Sequence, residues 1–255
     1  MNKLLKYVLI DILQNRILLG YTLFLLAASL GLFALTNDPS KGVISLLNIL
    51  LLVLPLVSLV FATIQVYNSY EFIELLAAQP LPRKMILGSQ YWGLSIALTA
   101  SNLIGIGLPV LLFSPTQTGL TLVGVACALS IVFTSIALWI AVRFRDKSRG
   151  IGAALLVWFW FSLMYDAIVL MLMFSFSDYP IEKAMLGLLA LNPIDLARIT
   201  VMLQTDVSAL LGYTGALFRE FLHAASGAVF LIAVATFWIF FPLWRAGRVF
   251  SKKDF

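Results

Sequence analysis

Cysteine and histidine each occur once in this chain, as Cys127 and His223. A lone cysteine excludes an internal disulfide framework, and a lone histidine excludes a histidine-cluster metal site built by a single copy. Charge is scarce too. Asp, Glu, Lys and Arg make up 11% of the 255 residues, where a soluble domain carries roughly 25%. There is no GxxxxGK[ST] stretch, so nothing here would cradle the phosphates of a nucleotide. With no internal repeat and no low-complexity tract, one domain over 1–255 is the simplest partition.

Apolar length fills the space that these absences leave. Hydrophobic residues are 62% of the chain, and the mean hydropathy is +1.01. One water-soluble core cannot hide that much apolar surface, so the fold class expected is an all-α integral membrane protein. A bilayer core needs about 20 apolar helical residues per crossing. Six runs meet that length, at about 17–36, 43–67, 89–113, 120–143, 151–175 and 222–244. Between them lie turn-forming stretches, "NDPSKG" (37–42), "SPTQTG" (114–119) and "RDKSRG" (145–150). The opening "MNKLLKYVLIDILQNR" does not read as a cleaved leader: Asp11, Gln14 and Asn15 interrupt it and no small-x-small site follows.

The placement of Lys and Arg predicts the orientation. With both termini cytoplasmic, the inside carries Lys3, Lys6, Arg16, Arg83, Lys84, Arg143, Arg145, Lys147, Arg149, Arg245, Arg248, Lys252 and Lys253. The outside then carries only Lys41, Lys183, Arg198 and Arg219. The basic tail "RAGRVFSKKDF" fits this pattern as an anchor and is too short to argue for nucleic acid. Trp92, Tyr91, Trp139, Tyr179 and Trp244 read as interfacial anchors near span ends.

Three pieces do not span. Residues 1–16 read as an interfacial helix, with Lys3, Lys6, Asp11 and Gln14 opposite Leu5, Val8 and Ile12. Residues 68–84, beginning "NSYEFIELLAAQPLPRK", read as a short helix capped by Asn68, with Glu71 completing a capping-box-like pair and Glu71 and Glu74 near the positive helix end. Pro80 and Pro82 then stop it. Residues 176–221 form the longest external connection. There Asn192 caps a helix over about 193–204, Pro193 occupies its first position, and Asp195 and Arg198 share its polar side; Leu196, Ile199 and Leu203 line the other. A shorter helix at about 180–190 precedes it, and both are expected at the outer membrane surface.

Six spans, the interfacial helix, "ELLAAQPLPR" between spans two and three, and an external helical segment before span six together resemble the permease subunits of type-2 ABC exporters. "KSRGIGAALLVWFWFSLMYDAIVLMLM" (147–173) and "LLALNPIDLARI" (188–199) are most similar to the NosY-type permeases, which serve copper-site maturation of nitrous oxide reductase. That resemblance implies a homodimer in the bacterial inner membrane and a cytoplasmic ABC ATPase partner that holds the ATP and Mg. It also implies a periplasmic solenoid-like accessory protein. The ATPase-coupling residues would be Glu71, Phe72, Glu74, Leu75, Leu76 and Arg83, and the periplasmic partner contacts Asn192, Pro193, Asp195 and Arg198. The alternative within the same class is a type-2 exporter permease for a lipid, drug or peptide.

Few residues suggest chemistry. Asp166 is the only acid well inside a span, about 22 Å above its cytoplasmic start. Ser162 lies one turn below it. No Lys or Arg sits within a span, so the partner expected for Asp166 is a hydroxyl, an amide, water or a second copy, unless it is protonated. Asp166, Ser162 and His223 are the only candidates for an intramembrane enzyme and form no known constellation, so no catalytic residue is assigned. Met164, Met171, Met173, Met185 and Met202 gather toward the outer side. Thioethers suit Cu(I), but methionine is ordinary packing material, and no metal site is assigned. Pro55, Pro109 and Pro242 mark kinks or hinges, and Asn102 with Gly105 and Gly107 would let helices approach closely.

Overall fold

The computed structural model describes residues 2–36, 38–176, 182–205 and 225–252. Tyr179, Arg219, His223 and Lys253 lie outside the described residues, as do the side chains of Lys3, Lys183 and Met185. The described residues form helices and short connections, with no strand. Helix α1 is Asn2–Leu13, α2 Arg16–Leu35, α3 Pro39–Asn68 and α4 Tyr70–Ala77. Then come α5 (Arg83–Phe113), α6 (Gln117–Arg143) and α7 (Lys147–Ser175). The shorter α8 (Glu182–Leu191) and α9 (Pro193–Met202) precede α10, Ala225–Ser251. Six of these (α2, α3, α5, α6, α7 and α10) are long and apolar enough to cross a membrane.

The polar breaks in the sequence become helix caps. Asn15 accepts from the Ile17 amide, Asp38 from Ser40, Thr116 from Gly119, Asp146 from Ser148 and Asn192 from Ile194. Each satisfies a first-turn donor that has no helical partner, which places the start of the helix. Helix α6 is the hub, with 72% of its apolar window buried, whereas α7 and α10 bury 11% each. Phe133 of α6 and Leu46, Leu50 and Leu54 of α3 are at the core, next to Leu94 and Leu98 of α5.

Several polar side chains inside this core join one helix to another. Asn102 is fully buried in α5. Its Oδ1 accepts from Tyr21 Oη at 2.8 Å, and its Nδ2 donates to Ser130 Oγ at 2.7 Å, tying α5 to α2 and α6. Gly105 is where α2 and α5 meet closely: a Cβ there would sit 2.6 Å from Leu25 Cβ. At Gly107 the nearest atom to a Cβ would be 3.7 Å away, so close approach rests on Gly105 alone.

Proline removes the amide that would serve the carbonyl four residues earlier. For Pro109 that carbonyl belongs to Gly105, and it accepts from Ser29 Oγ at 2.7 Å. For Pro242 it belongs to Trp238, and Ser135 Oγ lies 3.0 Å from it, its one proton shared with Val132 O at 2.7 Å. Near Pro55, Trp158 Nε1 donates to Leu52 O at 3.0 Å, one residue past the carbonyl that the proline frees. Neighbouring helices thus supply donors where lipid could not. Two segments wind as π-helix, Leu103–Gly107 before Pro109 and Trp160–Met164 in the middle of α7.

Candidate functional site

The two ends of the bundle carry the polar residues singled out in the sequence. At one end α1, α4, the α6–α7 turn and the end of α10 converge. Gln65 bridges α1 to α2 there, donating to Asp11 at 2.9 Å and accepting from Asn15 at 2.9 Å. Helix α4 has two faces. Ile73 and Leu76 are buried at 4% and 7% exposure, while Phe72 and Leu75 stand out at 42% and 67%. Glu71 and Glu74 are exposed beside them. Spacing explains the split, since Ile73 and Leu76 are three apart on one side of the helix. A cavity of about 350 Å³ opens next to Phe72, between α1 and α4, and is lined by Tyr7, Asp11, Ser69 and Gln90.

Two expectations at this end need correcting. Asn68 does not cap α4. It is the last residue of α3 and accepts from Lys147 Nζ at 2.9 Å. Ser69 occupies the cap position and makes no side-chain cap bond, so no capping box forms with Glu71. The chain turns too soon after α3 for Asn68 to leave it. Arg83, grouped with the coupling residues, stands apart from α4: its Nη1 donates to Ser251 O at 3.0 Å and Phe250 O at 3.3 Å, at the carbonyl-rich end of α10. Of the six residues assigned to coupling, Glu71, Phe72, Glu74 and Leu75 form one exposed patch; Leu76 anchors it and Arg83 ties the bundle together.

At the opposite end α9 is inserted among the spans instead of lying flat on them. Asn192 is fully buried, and Pro193 and Asp195 are buried with it. Ile194, Ala197 and Val201 join the main core, and Leu196 and Leu203 pack with Leu189 against Phe230 and Val234 of α10. Arg198 is the centre of this end. Its Nη2 lies 2.9 Å from Asp166 Oδ2 and its Nη1 lies 3.0 Å from Asp195 Oδ1. The partner of Asp166 is therefore an arginine from a segment outside the spans, a residue that the absence of basic groups within the spans had hidden. Ser162 does not serve it; its Oγ is buried and without a hydrogen-bond partner among the described residues.

The π-turn of α7 explains part of this seat. It sends the Tyr165 amide to Trp160 O, one residue further back than an α-helix would. Phe161 O, left without that donor, accepts from Asn192 Nδ2 at 3.0 Å. The same Nδ2 donates to Asp195 Oδ2 at 3.0 Å. Burial, and then the Asp166 carboxylate beside it, push Asp195 up to about 7, against the lowering effect of Arg198. Tyr165 Oη donates to Leu188 O at 2.6 Å, Trp238 Nε1 to Ala190 O at 3.0 Å, and Thr121 Oγ1 to Gln204 Oε1 at 2.8 Å. Hydrogen bonds from α6, α7 and α10 thus hold the 188–204 segment.

These positions revise the partner contacts expected at this end. Asn192, Pro193 and Asp195 are buried in the seat, and Arg198 is engaged twice within the chain. Tyr165, Trp238 and Thr121, whose polar atoms hold the 188–204 segment, were not singled out in the sequence. Met164 and Met171 face outward on α7, exposed at 39% and 71%, while Met202 packs on the core. The described residues contain no group of three or more His, Cys, Asp or Glu able to hold a metal.

No family model matches the chain. Two known proteins are similar to it over most of their length. One is the "Probable ABC transporter permease protein NosY" of Pseudomonas aeruginosa, 29% identical over 223 residues, covering 79% of this chain and 81% of that protein. The other carries the same name in Stutzerimonas stutzeri and is 29% identical over 211 residues, covering 74% and 76%.

Proposed function

We propose that this chain, a NosY-like multi-pass permease subunit of an ABC transporter, converts nucleotide-driven movement of a separate cytoplasmic ATPase into a change at the far end of its bundle, in the service of copper-site assembly of nitrous oxide reductase. The observation that carries this reading is the two-faced α4, rooted by Ile73 and Leu76 and offering Glu71, Phe72, Glu74 and Leu75 outward. ATP and Mg²⁺ belong to the ATPase, and this chain contributes neither a catalytic group nor a metal ligand. It works as a homodimer in the bacterial inner membrane, with α4 and both termini in the cytoplasm. The clustering of Lys and Arg around α4 supports that sidedness.

Coupling requires an element with two arrangements that both ends bias. Helix α4 touches α3 and α5, and α3 packs along α6 and α7. Asp166 near the far end of α7 then meets Arg198 of α9. A tilt imposed on α4 is thereby delivered to the α8–α9 seat, where a periplasmic solenoid-like protein would read it. Because Asn192, Pro193 and Asp195 are buried, that protein would respond to the position of the seat and not to those side chains.

The test is a Glu74→Ala/Leu75→Ala variant in cells that make nitrous oxide reductase. The variant should reach the membrane at normal levels while ATP hydrolysis by the complex loses its link to copper loading of the enzyme. Normal coupling in that variant would overturn the role of α4. Normal copper loading after deletion of the whole subunit would move the assignment to export of a lipid, drug or peptide.

A further inference from the structure

A groove of about 780 Å³ runs between α5 and α10 near the end that holds Arg83 and Ser251. That volume is in the range of small-ligand sites, roughly 300–1,000 Å³. One wall is the face of α5 bearing Lys84, Gly88 and Trp92; the other is the face of α10 bearing Phe240, Trp244, Gly247 and Arg248; Ile131 of α6 contributes to the lining. At ~1.5 Å per residue, the Lys84–Trp92 wall is about 12 Å long, most of one leaflet's ~15 Å of hydrocarbon.

Three observations define what fits. Among the described residues, the charged ones lining the groove are Lys84 and Arg248, both basic and both exposed, one on each wall. The Arg248 guanidinium is held in place 3.7 Å over the Trp244 ring, and Arg83 spans the two lips through its bonds to Phe250 and Ser251. Deeper in, the walls are aromatic and aliphatic. Finally, Gly88 and Gly247 border open space: a Cβ placed on either would meet nothing within 4 Å.

We propose that this groove is a binding site for an anionic phospholipid, with its phosphate between Lys84 and Arg248 and one acyl chain lying past Gly88 and Gly247 toward Trp92 and Phe240. A strongly apolar tail and a negative head match the two ends of the groove in order and in depth. A second copy of the chain is a poorer occupant, since twofold packing across this groove would bring two basic pairs together with no acid among the described lining residues to separate them.

The test is native mass spectrometry of the full chain in mild detergent, with phosphatidylglycerol and phosphatidylcholine as probes. Phosphatidylglycerol should be retained in preference to phosphatidylcholine. Lys84→Gln/Arg248→Gln should weaken its retention roughly 30-fold, at about a factor of five for each charge, while Arg143→Gln/Arg145→Gln at the same end should leave it unchanged. Gly88→Leu/Gly247→Leu fills the groove and should abolish retention of either lipid with no loss of melting temperature. Equal retention of the two lipids, an equal loss in the Arg143/Arg145 variant, or full retention in the leucine variant would each overturn the proposal. So would a leucine variant that changes oligomeric state while keeping its lipid, which would assign the groove to a second copy.

Discussion

Ser29 donates to a carbonyl whose helical donor a proline has removed, and Ser135 shares its proton between another such carbonyl, Trp238 O, and Val132 O of its own helix. A serine hydroxyl in that position offsets an unmet acceptor in a setting without water, so its loss should be felt. Ser29→Ala and Ser135→Ala should each destabilise the detergent-purified chain by roughly 0.6–1.7 kcal/mol, the range for hydrogen bonds between membrane helices. Pro109→Ala restores the amide, so Ser29→Ala should cost markedly less in that background; a double-mutant cycle on melting midpoints measures the coupling.

Asp195 predicts a pH dependence with a definite sign. Its carboxyl is raised from 3.8 to about 7, first by burial and then by Asp166. The folded state therefore holds a proton that the unfolded state has released between those values. The stability from this group is complete below pH 3.8 and declines as pH rises to about 7, then levels off. The melting temperature should fall between pH 5 and 7, and Asp195→Asn should flatten that slope. Arg198→Ala leaves Asp166 and Asp195 facing each other, so it should lower the melting temperature more than Asp166→Asn, which leaves the Asp195–Arg198 pair intact.

Helix α4 divides cleanly into residues that hold it and residues that it displays. Ile73→Ala or Leu76→Ala opens a void under the helix and should cost about 2–5 kcal/mol. Leu75→Ala changes a side chain that is 67% exposed and should shift stability by no more than about 0.5 kcal/mol. The functional effect should run the other way, with ATPase coupling lost first at Leu75. Equal loss of coupling and stability at all three positions would mean that α4 is merely structural. The short α4 was legible because "EFIELLA" is bounded by polar residues and by two prolines. Its cap was not legible, because whether Asn68 ends one helix or starts the next depends on Lys147, which reaches it from another turn.

Across the whole bundle, α7 and α10 leave most of their apolar length uncovered. The second copy proposed above is expected on the exposed apolar side of α7. Cysteine at Leu156 or Met171, both exposed on α7, in a Cys127→Ala background should yield a disulfide-linked dimer on oxidation in membranes. Monomer at every α7 position tested would count against a dimer built on this face.

Run length, polar breaks and helix caps were open to reading in the chain because they depend on neighbours within a turn or two, and the bilayer sets the length of a crossing. The count of six spans, the short α4 and the Asn192 cap of α9 follow from that local information. The pairing of Asp166 with Arg198, the burial of α9 and the groove between α5 and α10 were not. They depend on residues distant in sequence that packing brings together: a π-turn in α7 that leaves a carbonyl for Asn192, serines placed across from prolines, and glycines that face open space. Periodicity tells which side of a helix is apolar. What covers that side is settled by the other helices.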